Sequence, residues 1–271
     1  MASASGMSAI AITDHDTLAG TLAAREHGIP PSLGFLSGVE ISADPPEACP
    51  GKGSFHILGY GFDCDDTELN RMLTRLESFR RNRNPSIIRR LNDLGVSISL
   101  EEVAAASGPC QLGRPHIARM MVSKGVVASI DEAFDRFLGT GKPAYVEKTR
   151  VSCKDAIYRL RAAGGVPVLA HPGLLPLGPG AELEFLVDNL IEMGLEGIEA
   201  HYPQHSARLT AYFVELAADR ELLVTGGTDF HGAITPEIRM GTGRGDFYVP
   251  HALFTRLVER HSNVIERNAP L

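Results

Sequence analysis

Residues 166–173 have the sequence VPVLAHPG, and the pattern that begins here predicts the fold class. A short apolar run leads into a histidine, and a helical pattern follows over residues 181–193. The alternation continues with an apolar run at 195–200, a helical pattern at 206–220 and another apolar run at 222–225. Short apolar runs that alternate with helical patterns are typical of an α/β fold with a mostly parallel sheet.

The N-terminal part of the chain extends the same pattern. Residues 7–13 (MSAIAIT) predict a buried strand, and residues 18–27 predict the helix after it. Two more strands are predicted at 36–42 and 56–62. The length of 271 residues allows one large domain, or one domain that carries an inserted smaller one.

Residues 66–150 differ from the rest, because helical patterns follow one another there without a strand pattern between them. The segment carries 14 lysines and arginines against 10 aspartates and glutamates, whereas the remainder carries 12 against 23. We therefore predict a basic helical insertion at 66–150 in an α/β domain formed by 1–65 and 151–271. A solvated helical surface would explain the same charge. The predicted helices of the insertion cover 68–94, 100–107, 115–124 and 130–138.

The composition excludes several classes of protein. A net charge of −7 argues against a protein that coats nucleic acid nonspecifically. The four cysteines, Cys49, Cys64, Cys110 and Cys153, include no CxxC pair, which argues against a thiolate zinc finger and a disulfide framework. No apolar run approaches the roughly 18 residues of a membrane span. The first residues do not resemble a secretory signal, so we expect a cytoplasmic protein.

Residues that can bind metal ions lie at or near the ends of five predicted strands. Side chains at the carboxyl ends of the strands of a parallel α/β barrel converge on one cleft. Asp229 and His231 would also face the same side if the chain were extended there. Each signal has a simpler alternative: Glu40 could be a salt-bridged edge residue, and Asp16 with Thr17 could cap the next helix. The candidates are His15, Glu40, His56, His171, Asp229 and His231.

Imidazole and carboxylate groups without thiolate suit Zn²⁺, Mn²⁺ or Fe²⁺ rather than a structural zinc site. A carboxylate such as that of Glu40 can bridge two ions, and paired ions can clamp the oxygens of a phosphoryl group during its displacement. These candidates therefore indicate a metal site that is suited to chemistry of this kind.

Seven short motifs, taken in their order along the chain, resemble the PHP (polymerase and histidinol phosphatase) superfamily over roughly residues 7–245. They are most similar to its bacterial branch of 3′,5′-nucleotide bisphosphate phosphatases and 5′-to-3′ exoribonucleases. The resemblance implies a distorted (β/α)7 barrel with a helical insertion and a trinuclear metal site, commonly of manganese. The motifs are TDHDT at 13–17, GVEIS at 38–42, HILGYGF at 56–62, GRPHIA at 113–118, GKPAY at 141–145, LAHPG at 169–173 and GTDFHG at 227–232.

The resemblance also implies roles for individual residues. It implies that the six candidates above are metal ligands and that Glu40 bridges two ions. The family site holds up to three divalent ions, Mn²⁺ or alternatively Zn²⁺ or Fe²⁺. Arg114 and His116 become catalytic residues that bind the substrate phosphate, for which an arginine fork is geometrically suited. Lys142 becomes a further substrate-binding residue. For Arg114 and Lys142 an ordinary solvated charge is the alternative.

The implied activity is metal-dependent hydrolysis of phosphate esters in nucleotides or at RNA 5′ ends, with no protein or membrane partner. Three related enzymes are alternatives: a histidinol-phosphate phosphatase, a polymerase-linked proofreading domain and a metal-dependent amidohydrolase. The GRPHIA and GKPAY motifs favour the branch that acts on nucleotides. A non-catalytic module that binds phosphate or nucleotide is the alternative outside enzymes.

One part of the family pattern has no counterpart here. Family members begin with a strand that carries Asp-Leu-His-x-His-Ser, whereas no His-x-His occurs in this sequence. Three of about nine implied ligands and the first strand of the barrel are then missing. Either the natural chain is longer by about 30 residues, the size of a strand–helix unit, or the protein is a degenerate homologue; we favour the former. We expect this chain to bind fewer metal ions and to be weakly active or inactive.

Overall fold

The computed structural model describes residues 1–49, 55–108, 112–232 and 235–268, of which 263–268 are described by their backbone alone. The chain divides into two compact units. Unit 1 consists of Met1–Thr74 and Arg150–Leu271, and unit 2 consists of Arg75–Thr149.

Unit 1 contains one mixed sheet that curls into an open half-barrel. Its order is β1-β2-β3-β5-β6-β7, and β4 pairs with β2. β3 runs antiparallel to β2 and β5, whereas the other pairs are parallel. The first residue of β3 therefore lies at the same edge of the sheet as the carboxyl ends of its neighbours. The strands are β1 (Ala9–Ile12), β2 (Gly34–Asp44), β3 (His56–Tyr60), β4 (Val151–Ser152), β5 (Val166–Leu169), β6 (Gly197–His201) and β7 (Leu223–Gly226).

Helices of unit 1 connect the strands and cover the sheet. Ser152 and Ser206 each begin a helix by accepting a backbone N–H with the side-chain hydroxyl, as N-cap serines do. Inside the curled sheet, apolar side chains of β3 and β5 pack with Leu257 of the last helix. The helices are α1 (Ala19–His27), α6 (Cys153–Ala162), α7 (Ala181–Glu192), α8 (Ala207–Asp219) and α9 (His251–Asn268), and α2 (Thr67–Asp93) begins in unit 1 and ends in unit 2.

Unit 2 contains helices and no strand among its described residues, and it has an apolar core of its own. Its helices are the end of α2, α3 (Leu100–Ser107), α4 (Arg114–Ser123) and α5 (Ile130–Ala133), which continues as a π turn over Phe134–Leu138. A capping box starts α3, because Ser99 and Glu102 each bind the other's backbone N–H at 3.2 and 2.8 Å. Ile87, Leu91, Ile117, Met121 and Leu138 are fully buried in the core.

The six predicted strands are all present, with ends that differ from the prediction by no more than two residues. The two-residue β4 and the C-terminal α9, which packs against β5 and β7, were not predicted. Cys49, Cys64 and Cys153 are free thiols, and Cys110 lies outside the described residues. Within the described ranges, no helix is both long and apolar enough to cross a bilayer.

Candidate metal centre

A buried carboxylate, that of Glu40, is surrounded by three imidazole rings. Its Oε1 lies 2.7 Å from Nδ1 of His56 and 3.0 Å from Nε2 of His171. Its Oε2 lies 3.4 Å from Nδ1 of His15. Glu40 is only 5% exposed, and a buried carboxylate is unfavourable unless it is paired. The imidazoles provide that pairing, and Glu40 lies on an interior strand of the sheet rather than at an edge.

Strand register explains why these residues meet. Ser42 of β2 is opposite His56 of β3, so Glu40 and His56 are diagonal neighbours on one face of the sheet. His15 follows β1 and forms an isolated parallel bridge with Glu40. His171 follows β5, which pairs with β3 on its other side. Residues that are far apart in the sequence therefore lie around one carboxylate.

Asp16 supports the segment that carries His15. Its buried carboxylate accepts hydrogen bonds from the backbone N–H and the hydroxyl of Ser42, both at 2.7 Å. Asp16 therefore binds Ser42 rather than capping α1, the alternative raised above, and Asp14 accepts the N–H of Gly20 in that helix at 3.1 Å. Thr17 does contact α1, since its Oγ1 accepts the N–H of the first helical residue at 3.3 Å. Asp16 has a φ of 59°, a left-handed conformation that aspartate tolerates better than most residues.

Asp229 and His231 form the part of the site that follows β7. Asp229 has a φ of 49°, so the expected extended geometry is wrong at this position. His231 instead folds back, with Nδ1 2.8 Å from the carbonyl oxygen and 3.3 Å from Oδ1 of Asp229. The ring centroid of His231 lies 6.1 Å from that of His15, and Tyr202 donates its hydroxyl to Oδ2 of Asp229 at 3.0 Å. The pair thus adjoins the imidazoles around the buried carboxylate.

The titratable side chains of the site shift one another's pKa values. Burial raises the pKa of Glu40, but the positive charges of His15 and His56 and hydrogen bonds from the imidazoles hold it well below its usual value. Burial lowers the pKa of His171, but its hydrogen bond to ionised Glu40 and the charge of that group raise it to about 9. Burial raises the pKa of the neighbouring Glu199 to about 8. Without metal at neutral pH, protonated His171 is therefore paired with ionised Glu40.

This group of residues fits a divalent metal ion. One ligand atom each from His15, Glu40 and His56 lies within 4.8 Å of the others. Imidazole nitrogen and carboxylate oxygen suit Zn²⁺, Mn²⁺ and Fe²⁺. Nδ1 of His171 is buried without a hydrogen-bond partner among the described residues. Buried polar atoms normally have a partner, and a metal ion would supply one.

The predicted substrate-binding arginine lies in unit 2. Arg114 begins α4, and its Nη1 donates a hydrogen bond to the carbonyl of Leu138 at 2.9 Å. Its guanidinium lies 5.5 Å from the ring centroid of Phe134 and 5.4 Å from that of Tyr145. Two aromatic rings and a carbonyl therefore restrict this side chain, unlike an ordinary solvated charge.

The other two predicted substrate-binding residues also lie in unit 2. His116 accepts the backbone N–H of Gly113 at Nδ1, at 3.1 Å, which favours the neutral tautomer with its proton on Nε2. Lys142 is exposed in the turn after the π segment, where its backbone N–H donates to Gly139 at 3.0 Å.

Sequence reasoning missed three residues that support the site. Glu199 of β6 accepts the backbone N–H of His171 at 2.8 Å. Tyr202 contacts Asp229, and the ring nitrogens of His205 contact Ala200 and Gly173. The available signal was a glutamate inside the otherwise apolar GIEA stretch, because a charged residue in a buried strand needs a polar partner.

Three curated bacterial proteins are similar to this chain, although no family model matches it. A 3′,5′-nucleoside bisphosphate phosphatase of Chromobacterium violaceum is 33% identical over 82% of this chain and 76% of its own. A 5′-3′ exoribonuclease of Haemophilus influenzae is 30% identical over 84% and 81%. A phosphoribosyl 1,2-cyclic phosphate 1,2-diphosphodiesterase of Eggerthella lenta is 32% identical over 84% of both chains.

Two solved structures of other bacterial proteins have the same fold. One, described as a metal-dependent phosphoesterase, comes from Bifidobacterium adolescentis and has a TM-score of 0.80 at 28% identity. The other, described as an amidohydrolase of Chromobacterium violaceum with bound sulfate, has a TM-score of 0.78 at 29% identity. Each match covers 96% of this chain and 88% of the other. The α/β barrel class predicted from the sequence is confirmed.

Fold, site and relatives together define a class, the metal-dependent hydrolases of phosphoric ester bonds. Within that class, the chain belongs to the PHP-type family of 3′,5′-nucleoside bisphosphate phosphatases and 5′-3′ exoribonucleases. The family resemblance inferred from the seven motifs is thereby confirmed.

Proposed function

We propose that this protein hydrolyses phosphate esters of nucleotides, such as 3′,5′-bisphosphates, or of RNA 5′ ends. The observation that carries the proposal is the convergence of His15, His56 and His171 on the buried carboxylate of Glu40. We propose that the protein acts in the cytoplasm. Residues 66–150 are proposed as a helical insertion in the barrel formed by 1–65 and 151–271.

We propose six residues of unit 1 as ligands of Mn²⁺, with Zn²⁺ and Fe²⁺ as alternatives and with fewer ions bound than the three that the family pattern implies. When bound, such ions act as Lewis acids toward phosphoryl oxygens and lower the pKa of water. The two oxygens of Glu40 face different imidazoles, which supports a bridging role between two ions. The ligands are His15, Glu40, His56, His171, Asp229 and His231.

The surroundings of these side chains prepare them for binding. Burial of Glu40, His56 and His171 excludes bulk water and strengthens electrostatic interactions. The Tyr202 hydroxyl occupies one lone pair of Asp229, which orients the other oxygen of that carboxylate. Preorganised ligands lose little entropy when an ion or a phosphate arrives.

In unit 2, we propose that Arg114, His116 and Lys142 bind the phosphate groups of the substrate. The planar guanidinium of Arg114 offers paired donors that match phosphate oxygens, and its aromatic contacts reduce the entropy lost on binding. Nε2–H of neutral His116 is a further donor, and Arg114 and His116 are the proposed catalytic residues. Lys142 adds an exposed positive charge.

The proposal is tested by incubating the full chain with Mn²⁺ and three substrates: adenosine 3′,5′-bisphosphate, a short 5′-phosphorylated RNA and histidinol phosphate. Weak release of phosphate from the bisphosphate, or of mononucleotides from the RNA, is expected, and His56→Ala should abolish it. Turnover of histidinol phosphate alone would replace the nucleotide assignment. Tight nucleotide binding with a full metal complement and no turnover would instead support a non-catalytic binding module.

A further inference from the structure

We propose that Glu199 is a positioning residue, which fixes the backbone of His171 and thereby directs its imidazole at the metal centre. The inference rests on the proposed role of His171 as a metal ligand and extends it to a residue on a strand that carries none of the six ligands. Glu199 acts through the backbone of His171.

The backbone of His171 needs such a support. Its φ of 27° and ψ of 57° are unfavourable for a residue with a Cβ atom. Pro172 follows it, and a residue before proline normally avoids helical conformations and prefers an extended backbone. Without an external constraint, the chain would relax toward the extended region and carry the imidazole away from Glu40.

Glu199 supplies the constraint. It lies on β6, beside β5, in the parallel pair that places Leu169 next to Ile198. Its carboxylate is 6% exposed and accepts the backbone N–H of His171 at 2.8 Å through Oε2. Nε2 of the same histidine then lies 3.0 Å from Oε1 of Glu40. Through this one hydrogen bond, a residue of β6 fixes the orientation of the His171 imidazole in the metal centre.

The register of β6 favours this arrangement. Glu199 pairs with Thr225 of β7, but the next pair joins His201 to Gly226, so one extra residue is accommodated between them. Such irregularities re-aim side chains and occur often beside active sites. Tyr202, just after the irregularity, has its ring 5.4 Å from that of His171. Two residues from this one segment therefore contact His171.

A positioning role makes a specific demand on the side chain. The backbone N–H needs an acceptor at the end of a chain of this length, and the amide oxygen of glutamine supplies one. Glu199→Gln should therefore keep the orientation of His171, whereas Glu199→Ala removes the acceptor and Glu199→Asp withdraws it by one methylene group. If the negative charge itself were required, Glu199→Gln would fail as Glu199→Ala does.

The test measures Mn²⁺ affinity by titration calorimetry and amide hydrogen exchange at His171 by mass spectrometry or NMR, with the full chain. Glu199→Ala should lower Mn²⁺ affinity by about tenfold to 100-fold and speed exchange at His171 by about tenfold or more. Glu199→Gln should stay within about threefold of the unsubstituted chain in both. If Glu199→Ala does not fold, Glu199→Asp takes its place, with the same direction of change.

Glu196→Ala is the matched control, because Glu196 is a half-buried glutamate just before β6 that contacts Arg161 and Arg260, each at 3.4 Å. It should lower the thermal stability and leave Mn²⁺ affinity unchanged. An affinity lost equally in Glu199→Gln and Glu199→Ala would overturn the inference. The inference would also be overturned if Glu199→Ala kept its Mn²⁺ affinity while His171→Ala lost affinity. If His171→Ala itself kept full Mn²⁺ affinity, the assignment of His171 as a metal ligand would be refuted instead.

Discussion

Glu40 and His56 are joined by a 2.7 Å contact between Oε1 and Nδ1, across an antiparallel pair of strands within a mostly parallel sheet. The reversal of β3 is what allows this contact, because His56 is the first residue of its strand and lies beside the carboxyl end of β5. In an all-parallel sheet, a ligand at the start of a strand would lie at the opposite edge. The antiparallel direction of β3 therefore completes the metal centre.

Replacing Glu40 by glutamine should lower Mn²⁺ affinity by about 100-fold, because the neutral amide loses the negative charge and one of the two acceptor oxygens. Titration calorimetry and metal content by mass spectrometry would measure the loss. Glu182→Gln, at an exposed position in the first turn of α7, is the matched control and should behave as the unsubstituted chain. Equal affinities for Glu40→Gln and Glu182→Gln would contradict the assignment.

Metal binding should depend on pH because a proton and a metal ion compete for His171. Its pKa of about 9 in the metal-free site means that the ring is protonated at neutral pH, and raising the pH toward 9 removes that proton. We expect Mn²⁺ affinity to rise between about pH 7 and 9 by up to about tenfold per unit and to flatten above. Calorimetry in buffers of different ionisation enthalpy should detect about one released proton per site near pH 7.5.

The variant His171→Asn removes this titrating group and provides the comparison. Its affinity for Mn²⁺ should be lower than that of the unsubstituted chain, and it should change less between pH 7 and 9. A slope that is unchanged in the variant would show that the released proton comes from another residue.

The sequence was sufficient to predict where the strands end and which candidate residues lie there, because strands of this fold class bring their ends to one edge of the sheet. His15, Glu40, His56 and His171 illustrate this, since a local pattern identifies each of them. Their arrangement around one carboxylate depends on the direction and register of β3, which apolar periodicity does not encode.

The residues that support the metal centre could not be predicted from the sequence. Glu199 has a role only because the backbone of His171 adopts an unusual conformation 28 positions earlier. Asp16 likewise resembles a helix cap in its local sequence, but it binds Ser42 of β2. Such contacts follow from tertiary structure, and the residues that make them carry no periodic signal.

Removing the Asp16 side chain should destabilise unit 1. Asp16→Ala loses two hydrogen bonds of a buried carboxylate and places alanine at a φ of 59°, so we expect the free energy of unfolding to fall by about 3 kcal/mol. Asp16→Asn keeps one acceptor oxygen and tolerates the left-handed conformation, so its loss should be nearer 1 kcal/mol. Urea unfolding would measure both.

Asp219→Ala, at the exposed end of α8, controls for the loss of an aspartate and should change stability by less than about 0.5 kcal/mol. If Asp16→Ala were no more destabilising than Asp219→Ala, the hydrogen bonds to Ser42 would contribute nothing to the fold.

Gly38 should tolerate no side chain, because β1 and β2 approach closely there. A Cβ atom at Gly38 would lie 2.5 Å from the backbone oxygen of Ile12 and 2.8 Å from Cγ2 of Thr13. Since backbone would have to move, Gly38→Ala should cost about 3 kcal/mol of unfolding free energy. It should also weaken Mn²⁺ binding, because the same strand pair holds His15 beside Glu40.

Gly178→Ala is the comparison for this glycine, since a Cβ atom there meets nothing within 4 Å and its φ is not positive. That variant should unfold within about 0.5 kcal/mol of the unsubstituted chain and keep its Mn²⁺ affinity. Urea unfolding and calorimetry on both variants would separate the outcomes. A Gly38→Ala chain as stable as Gly178→Ala would mean that β1 can move away from β2, and a full Mn²⁺ affinity in that chain would mean that His15 does not depend on their pairing.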